Sequence, residues 1–540
     1  MSLASHILQR ALRLEPPVTR DITVQHDLRV PMPDGTVLFA DRWFPRAGNV
    51  GLPTALVRSP YGRRGMQALG MARPLAERGF QVLIQSTRGT FGCGGTFDPL
   101  RQEREDGLAT LDWIVEQPWF GDAIVLIGGS YSGYVQWAVA DKLPPQVKAM
   151  VPMVTESALT MEFLREDGLS LETPFQWGVM TSLQEQRGAT LRALLVDGRR
   201  RRRALSTLPL GRSDVIAAGH RVDYIQDILT HDRTAERWAG IDHRHRVADV
   251  TVPVSSIGGW YDIFLPGQLQ DFTILQDAGR PARLTVGPWT HVGAGLGSAL
   301  QEAVEFGLAH ARGEQPPERA PVRLYMMGEE AWREFDHWPP HGYSPQRFHL
   351  HPDDTLSTRE PVESTPDRYR YDPADPTPAV GGVRMVRGSG RVDNTTLEAR
   401  PDVLTYTTPA LDTDVEIIGE IDAEIWFRSS LPYADVFVRL CDVDNRGRSY
   451  NVCDGLVSLT GADEPLRAEV TLWPTAYLFK RGHRIRVQVS SGAFPRYARN
   501  PGTGEPRTTA TTLRPADQEI HHDPTHPSAI TLPVRETYLP

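Results

Sequence analysis

The sequence predicts a chain of the α/β class: a mostly parallel sheet flanked by helices, broken by a helical insertion and followed by an all-β sandwich. Three observations carry this. Between residues 54 and 154, short apolar runs of strand length alternate with helical patterns, the signature of parallel strands covered by helices. From about 155 to 245 the strand signal stops and helical patterns take over. After about 345, strand-like runs follow at short spacing with turn signals between them, as in a β-sandwich.

The elements follow in order. Residues 21–30 and 36–44 are strand-like, and Asp34-Gly35 between them is a strong hairpin signal. Residues 54–58, 81–85, 123–129 and 148–154 are apolar strands. Residues 71–79 form a helix that stops at a glycine, and 104–118 a helix with Leu108, Leu111, Ile114 and Val115 on one face. Residues 131–140 are helical. The insertion reads as helices over 157–166, 174–198 and 214–231. Strands resume at 252–259 and 282–288. The sandwich strands are 415–427, 434–443, 449–459, 466–473 and 483–492. In the last, Ile485, Val487 and Val489 alternate with Arg486 and Gln488, the period of a half-buried strand.

Length and composition set bounds. At 540 residues there is room for about three domains. We divide the chain into a core at 1–153 and 246–344, a helical cap at 154–245 and a β domain at 345–540. With 67 acidic against 58 basic residues the net charge is −9, which argues against a nucleic-acid partner. No apolar run reaches the length of about 18 residues that a membrane span needs. Cys93, Cys441 and Cys453 are too few for a disulfide framework and match no metal spacing. Together with a start that lacks a basic and apolar leader, they lead us to expect a cytoplasmic protein.

The sharpest chemical signal is Gly128-Gly129-Ser130-Tyr131-Ser132-Gly133, placed between a buried strand and a helix. A nucleophilic serine on such a turn needs small neighbours two residues to each side, and Gly128 and Ser132 supply them. The amide of Tyr131 then points into the site and can bind an oxyanion. A serine needs a base, and the base an orienting acid. Asp262 lies just past the strand at 252–259 and His291 just past the strand at 282–288. The order serine, acid, histidine, each beyond a strand end, matches the template.

The stretches 58–64 (RSPYGRR), 84–97 (IQSTRGTFGCGGTF), 128–133 (GGSYSG), 258–264 (GGWYDIF), 287–291 (GPWTH) and 491–504 (SGAFPRYARNPGTG) make the chain resemble the cocaine esterase and X-prolyl dipeptidyl peptidase group. The resemblance spans most of the chain. It implies an α/β-hydrolase core, an inserted helical cap and a C-terminal β jelly roll. It implies Ser130, Asp262 and His291 as the triad. It gives Tyr61, which follows the strand at 54–58, the role of second oxyanion donor through its hydroxyl. By resemblance Trp177 and Phe264 line the acyl pocket. The reaction it implies needs no metal and no organic cofactor, and dimers being common in such folds, a homodimer is a further expectation.

Two departures matter. The family often carries an aspartate where this chain has Ser86. Relatives acting on α-amino acid esters hold the substrate ammonium with carboxylates near the triad, whereas Ile263 and Phe264 follow Asp262 here. This favours a neutral or aromatic acyl group in a small-molecule ester. The expected activity is therefore a serine hydrolase of carboxylic esters. An amide-cleaving or X-prolyl dipeptidyl peptidase, an acyltransferase and a non-catalytic carbohydrate-binding or scaffold protein stay as alternatives. Residues 442–447 (DVDNRG) imitate the start of a calcium loop, but the twelfth position is Cys453, so a hairpin turn is expected there. The run Arg199–Arg203 reads as a solvated face.

Overall fold

The computed structural model describes residues 3–47, 51–159, 163–164, 169–186, 198–232, 234–293 and 295–536. It divides into two compact units. The first holds residues 1–160, 238–323 and 334–336, and the second residues 161–237, 324–333 and 337–540.

In the first unit the strands are β1 (Ile22–Pro31), β2 (Val37–Pro45), β3 (Thr54–Ser59), β4 (Gln81–Ser86), β5 (Ile124–Gly129), β6 (Val147–Met153), β7 (Val254–Tyr261) and β8 (Ala282–Thr290). They lie side by side in the order β1-β2-β4-β3-β5-β6-β7-β8. β1 pairs antiparallel with β2, and β2 with β4; from β4 to β8 every neighbour is parallel. Successive strand residues point to opposite faces, and each face has its own core. Val57, Ile84, Ile127 and Val151 enter one cluster with Leu75, Leu300 and Phe306. Their chain neighbours Leu56, Leu83, Leu126 and Met150 enter another with Leu111, Ile114 and Leu275. This is why the middles of β3 and β4, residues 55–57 and 82–84, are apolar at every position: both faces are covered. Parallel strands joined by crossovers bring their C-terminal ends to one edge, where ligands bind in such sheets. β3, β5, β7 and β8 deliver Tyr61, Ser130, Asp262 and His291 to that edge.

In the second unit the inserted stretch forms helices Glu172–Leu183, Gly198–Leu205, Ser213–Ala218 and Asp223–Thr230. The run at 214–231, continuous in its helical pattern, is interrupted because Gly219 takes φ 86° and closes the first helix in the left-handed conformation. The expected helix over 174–198 falls outside the described residues at 187–197. Half of that over 157–166 falls outside them, and its described start is a turn. The β-rich part contains the five expected strands, observed at Val415–Ser429, Tyr433–Val443, Ser449–Thr460, Leu466–Phe479 and Arg484–Ser490. It adds others, including Tyr343–His351, Ala516–His521 and Ala529–Arg535. Asp444 Oδ1 accepts the amides of Arg446 and Arg448 at 2.9 and 3.0 Å, so the stretch at 442–447 is a hairpin turn.

The inserted helices and the β-rich part share one unit for identifiable reasons. The Arg496 carbonyl accepts the amide of Leu171 at 2.8 Å. Arg384 grips Glu172 with two bonds of 2.7 and 3.0 Å. Arg496 itself is held by the buried Asp454, which also pairs with Arg439 at 3.0 Å. Burial pushes the Asp454 carboxyl up, but Arg496 and Arg439 outweigh it and hold the group below its ordinary value. Among the described residues no helix is long and apolar enough to cross a membrane.

Candidate active site

β5 ends in two glycines, and the chain reverses at Ser130 into helix Tyr131–Trp137. The turn is tight. Ser130 takes φ 55° and ψ −126°, a region that costs a non-glycine residue about 1–3 kcal/mol. The surroundings hold it there. Its amide donates to the Met153 carbonyl on β6 at 2.9 Å, and its carbonyl accepts the Thr155 hydroxyl at 2.8 Å. The small residues are required by space. A Cβ on Gly128 would meet the Ser132 carbonyl oxygen at 2.5 Å, and one on Gly133 would meet Thr155 Cγ2 at 2.4 Å.

From β8, His291 reaches across so that its Nε2 lies 3.0 Å from Ser130 Oγ. Its Nδ1 lies 2.7 Å from Asp262 Oδ2. The Asp262 side chain is fully buried, and its other oxygen accepts the Phe264 amide at 2.9 Å. With both oxygens engaged, the carboxylate is fixed in orientation and fixes the imidazole tautomer. The Phe264 ring meets His291 edge-on, with centroids 5.4 Å apart. The end of β8 is also seated by shape: a Cβ on Gly287 or on Gly295 would run into the Trp289 indole at 2.5 Å.

Tyr61 stands in the turn after β3, half-buried, with its amide donating to Ser59 Oγ at 3.2 Å. β3 and β5 are parallel neighbours, in register from Thr54 opposite Ile124 to Leu56 opposite Leu126, so Tyr61 and Ser130 leave adjacent strand ends. Trp177 belongs to the second unit, where its indole packs edge-on against Tyr224 at 4.7 Å. At the departure Ser86, Arg63 donates to Ser86 Oγ at 3.4 Å and finds carboxylate partners in Asp27 and in Asp41 of β2, the latter at 3.2 Å.

Sequence reasoning missed the support beneath Tyr131. Its ring is buried in the first turn of the helix. The hydroxyl donates to Glu103 Oε1 at 2.7 Å and accepts the Leu100 amide at 2.8 Å. Glu103 in turn faces Arg58 of β3 at 2.9 Å, both side chains buried. Burial pushes the Glu103 carboxyl up against the pull of Arg58, and pushes the Tyr131 phenol far up, so the phenol stays neutral and donates. A signal existed: Arg58 lies inside the quoted stretch at 58–64, although no partner for it is visible in the sequence. A second buried group is Asp271, which accepts the Ser157 amide at 2.7 Å and lies 3.9 Å from Arg244. Burial pushes its carboxyl up to about 7.

A serine at a strained strand-to-helix turn, bonded to a histidine that a buried aspartate orients, defines the class: a serine hydrolase built on the α/β-hydrolase fold. Comparison with known proteins narrows this. Residues 34–293 match the family model of the X-Pro dipeptidyl-peptidase (S15 family). Residues 318–531 match that of the X-Pro dipeptidyl-peptidase C-terminal non-catalytic domain. With the relative that follows, these matches place the chain in the cocaine esterase and X-Pro dipeptidyl-peptidase family. Cocaine esterase from Rhodococcus sp. (strain MB1 Bresler) is 31% identical, over 96% of this chain and 99% of that protein. Two solved structures share the fold. An aminopeptidase from a marine sediment Thaumarchaeota archaeon aligns with TM-score 0.83 at 20% identity, covering 95% of this chain and 97% of that one. An α-amino acid ester hydrolase aligns with TM-score 0.82 at 21% identity, covering 97% and 98%.

Proposed function

We propose that the protein hydrolyses carboxylic esters of small neutral or aromatic acids through an acyl-enzyme on Ser130. The observation that carries this reading is the hydrogen-bonded chain from Ser130 Oγ to His291 Nε2 and from His291 Nδ1 to Asp262, at 3.0 and 2.7 Å. His291 takes the Ser130 proton as Oγ attacks the acyl carbonyl. Asp262 stabilises the imidazolium that forms. The Tyr131 amide and the Tyr61 hydroxyl bind the tetrahedral oxyanion. His291 then protonates the leaving alcohol, and water, activated by the same histidine, releases the acid. The neutral acyl group is supported by Ile263 and Phe264, both buried and apolar, directly after Asp262. The 31% identical relative bears the name cocaine esterase, which supports an ester as the scissile bond. The sparse cysteines support a cytoplasmic setting.

The family model favours one rival, cleavage of X-Pro amides, which would use the same triad. The test is a substrate panel: p-nitrophenyl acetate, butyrate and benzoate beside Gly-Pro and Phe amides, with wild type and Ser130→Ala. The proposal expects ester turnover that disappears in the variant. Turnover of the amine-bearing amides alone would replace it with the peptidase reading, and ester turnover retained by Ser130→Ala would remove Ser130 from the site.

A further inference from the structure

Far along the chain from the residues of the triad, the turn joining strands Ala516–His521 and Ala529–Arg535 carries His521, Asp523 and His526. One donor atom from each lies within 4.8 Å of the other two. Three features separate this cluster from a chance meeting of polar side chains. First, His521 Nε2 is buried and has no hydrogen-bond partner, with Glu519 Oε2 standing 3.7 Å away. A buried imidazole nitrogen without a partner is costly unless something else satisfies it. Second, Asp523 is aimed. Its Oδ1 accepts the amides of Thr525 and His526 at 2.8 and 3.1 Å, which turns Oδ2 to His526 Nδ1 at 3.1 Å. Third, the turn is seated on an aromatic platform. Trp426 is the cross-strand partner of His521 and meets the His526 ring edge-on at 4.9 Å. The rings of His521 and His526 themselves lie 5.3 Å apart.

We propose that His521, Asp523 and His526 form a three-ligand site for a divalent transition metal ion of the zinc type. Two imidazoles and one carboxylate suit a borderline ion, whereas calcium and magnesium prefer an all-oxygen set. A tetrahedral ion with bonds of about 2.0–2.2 Å spaces its donors roughly 3.3 Å apart. The cluster therefore closes on the ion by side-chain rotation of an ångström or so. Glu519 already pairs with Arg368 at 3.0 Å and with Arg428 at 3.6 Å, which leaves the fourth position to water. The side chains keep 14, 17 and 29% of their surface exposed, enough for an ion to enter. All three ligands come from the link between two strands that both pair with Val415–Ser429, so the bound ion pins that link against Trp426. The site is structural, independent of the triad chemistry, and leaves the hydrolytic mechanism free of metal.

The test uses the full chain, stripped with chelator and titrated with zinc chloride, with calcium chloride as control. Calorimetry reads stoichiometry and affinity, and a thermal melt reads stability. Wild type is expected to bind one zinc per chain with micromolar affinity and to melt at higher temperature when loaded. His521→Ala, Asp523→Asn and His526→Ala each lose about tenfold or more in affinity. Asp523→Asn keeps a side-chain oxygen for the turn amides, so its metal-free melting temperature matches wild type and separates ligation from folding. No zinc uptake by wild type overturns the proposal. So does binding of equal affinity and stoichiometry in wild type and the variants, or calcium bound as tightly as zinc.

Discussion

Removing one oxygen atom tests how the oxyanion amide is held. In Tyr131→Phe the ring stays, and the hydroxyl between Glu103 Oε1 and the Leu100 amide goes. A hydrogen bond to a charged group contributes about 1.5–3 kcal/mol, and a buried amide left without a partner costs about 1–3 kcal/mol. The two do not simply add. Glu103 keeps Arg58 at 2.9 Å, and the variant no longer desolvates a phenol. We expect a loss of about 3 kcal/mol. At roughly 2–4 °C per kcal/mol, the melting temperature of the first unit falls by about 6–12 °C. The freed ring lets the first helical turn shift, which misplaces the Tyr131 amide where charge develops. Turnover then drops about tenfold while KM changes little, the pattern of an interaction made in the transition state. Thermal melts and steady-state kinetics on p-nitrophenyl acetate read both effects. A melting temperature within about 1 °C of wild type with unchanged turnover would mean that the Tyr131 hydroxyl does not hold the helix start.

Other expectations rest on single contacts. Tyr61→Phe lowers turnover about 100-fold through loss of an oxyanion donor; an unchanged rate takes Tyr61 out of the site. Asp262→Asn leaves the fold intact and lowers turnover about 10,000-fold by favouring the wrong imidazole tautomer, which a progress-curve assay at high enzyme concentration measures. Gly128→Ala forces a methyl to within 2.5 Å of the Ser132 carbonyl, so activity disappears and the protein melts earlier. Asp271 gives a pH dependence. Folding raises its carboxyl from 3.8 to about 7 because burial disfavours the charge. Between these values the folded protein holds a proton that the unfolded chain has released, so stability falls as pH rises through the window. Melts from pH 4 to 8 read this slope, which is shallower in Asp271→Asn; an equal slope in the variant contradicts the assignment.

The strands from β3 to β8 were legible because parallel strands covered on both faces carry apolar residues at successive positions near their centres, as at 124–127 in β5. Ser130, Asp262 and His291 were legible because the fold delivers them in chain order beyond strand ends. The structure brings those three into one hydrogen-bonded chain. Glu103 was not legible, since an acidic first turn is the ordinary dress of an exposed helix, and only the packing shows that Glu103 is buried. Strand Tyr343–His351 escaped notice because Pro345 and the polar residues Ser344, Gln346, Arg347, His349 and His351 obscure its pattern. Strand Tyr433–Val443 is buried throughout from Ala434, yet carries Asp435, Arg439 and Asp442. Its charges are answered by residues distant in sequence, such as Asn500 for Asp435 and His483 for Asp442. Periodicity reports burial along one segment, and such pairings lie outside its reach.

Ser130 acts here as the nucleophile that carries the acyl group. The most direct measurement is mass spectrometry of the protein quenched during turnover of p-nitrophenyl benzoate, followed by peptide mapping. A benzoyl group is expected on the peptide containing Ser130, formed in the initial burst and absent from Ser130→Ala and His291→Ala. Turnover without any acylated peptide, or a benzoyl group that maps to another residue, would contradict it.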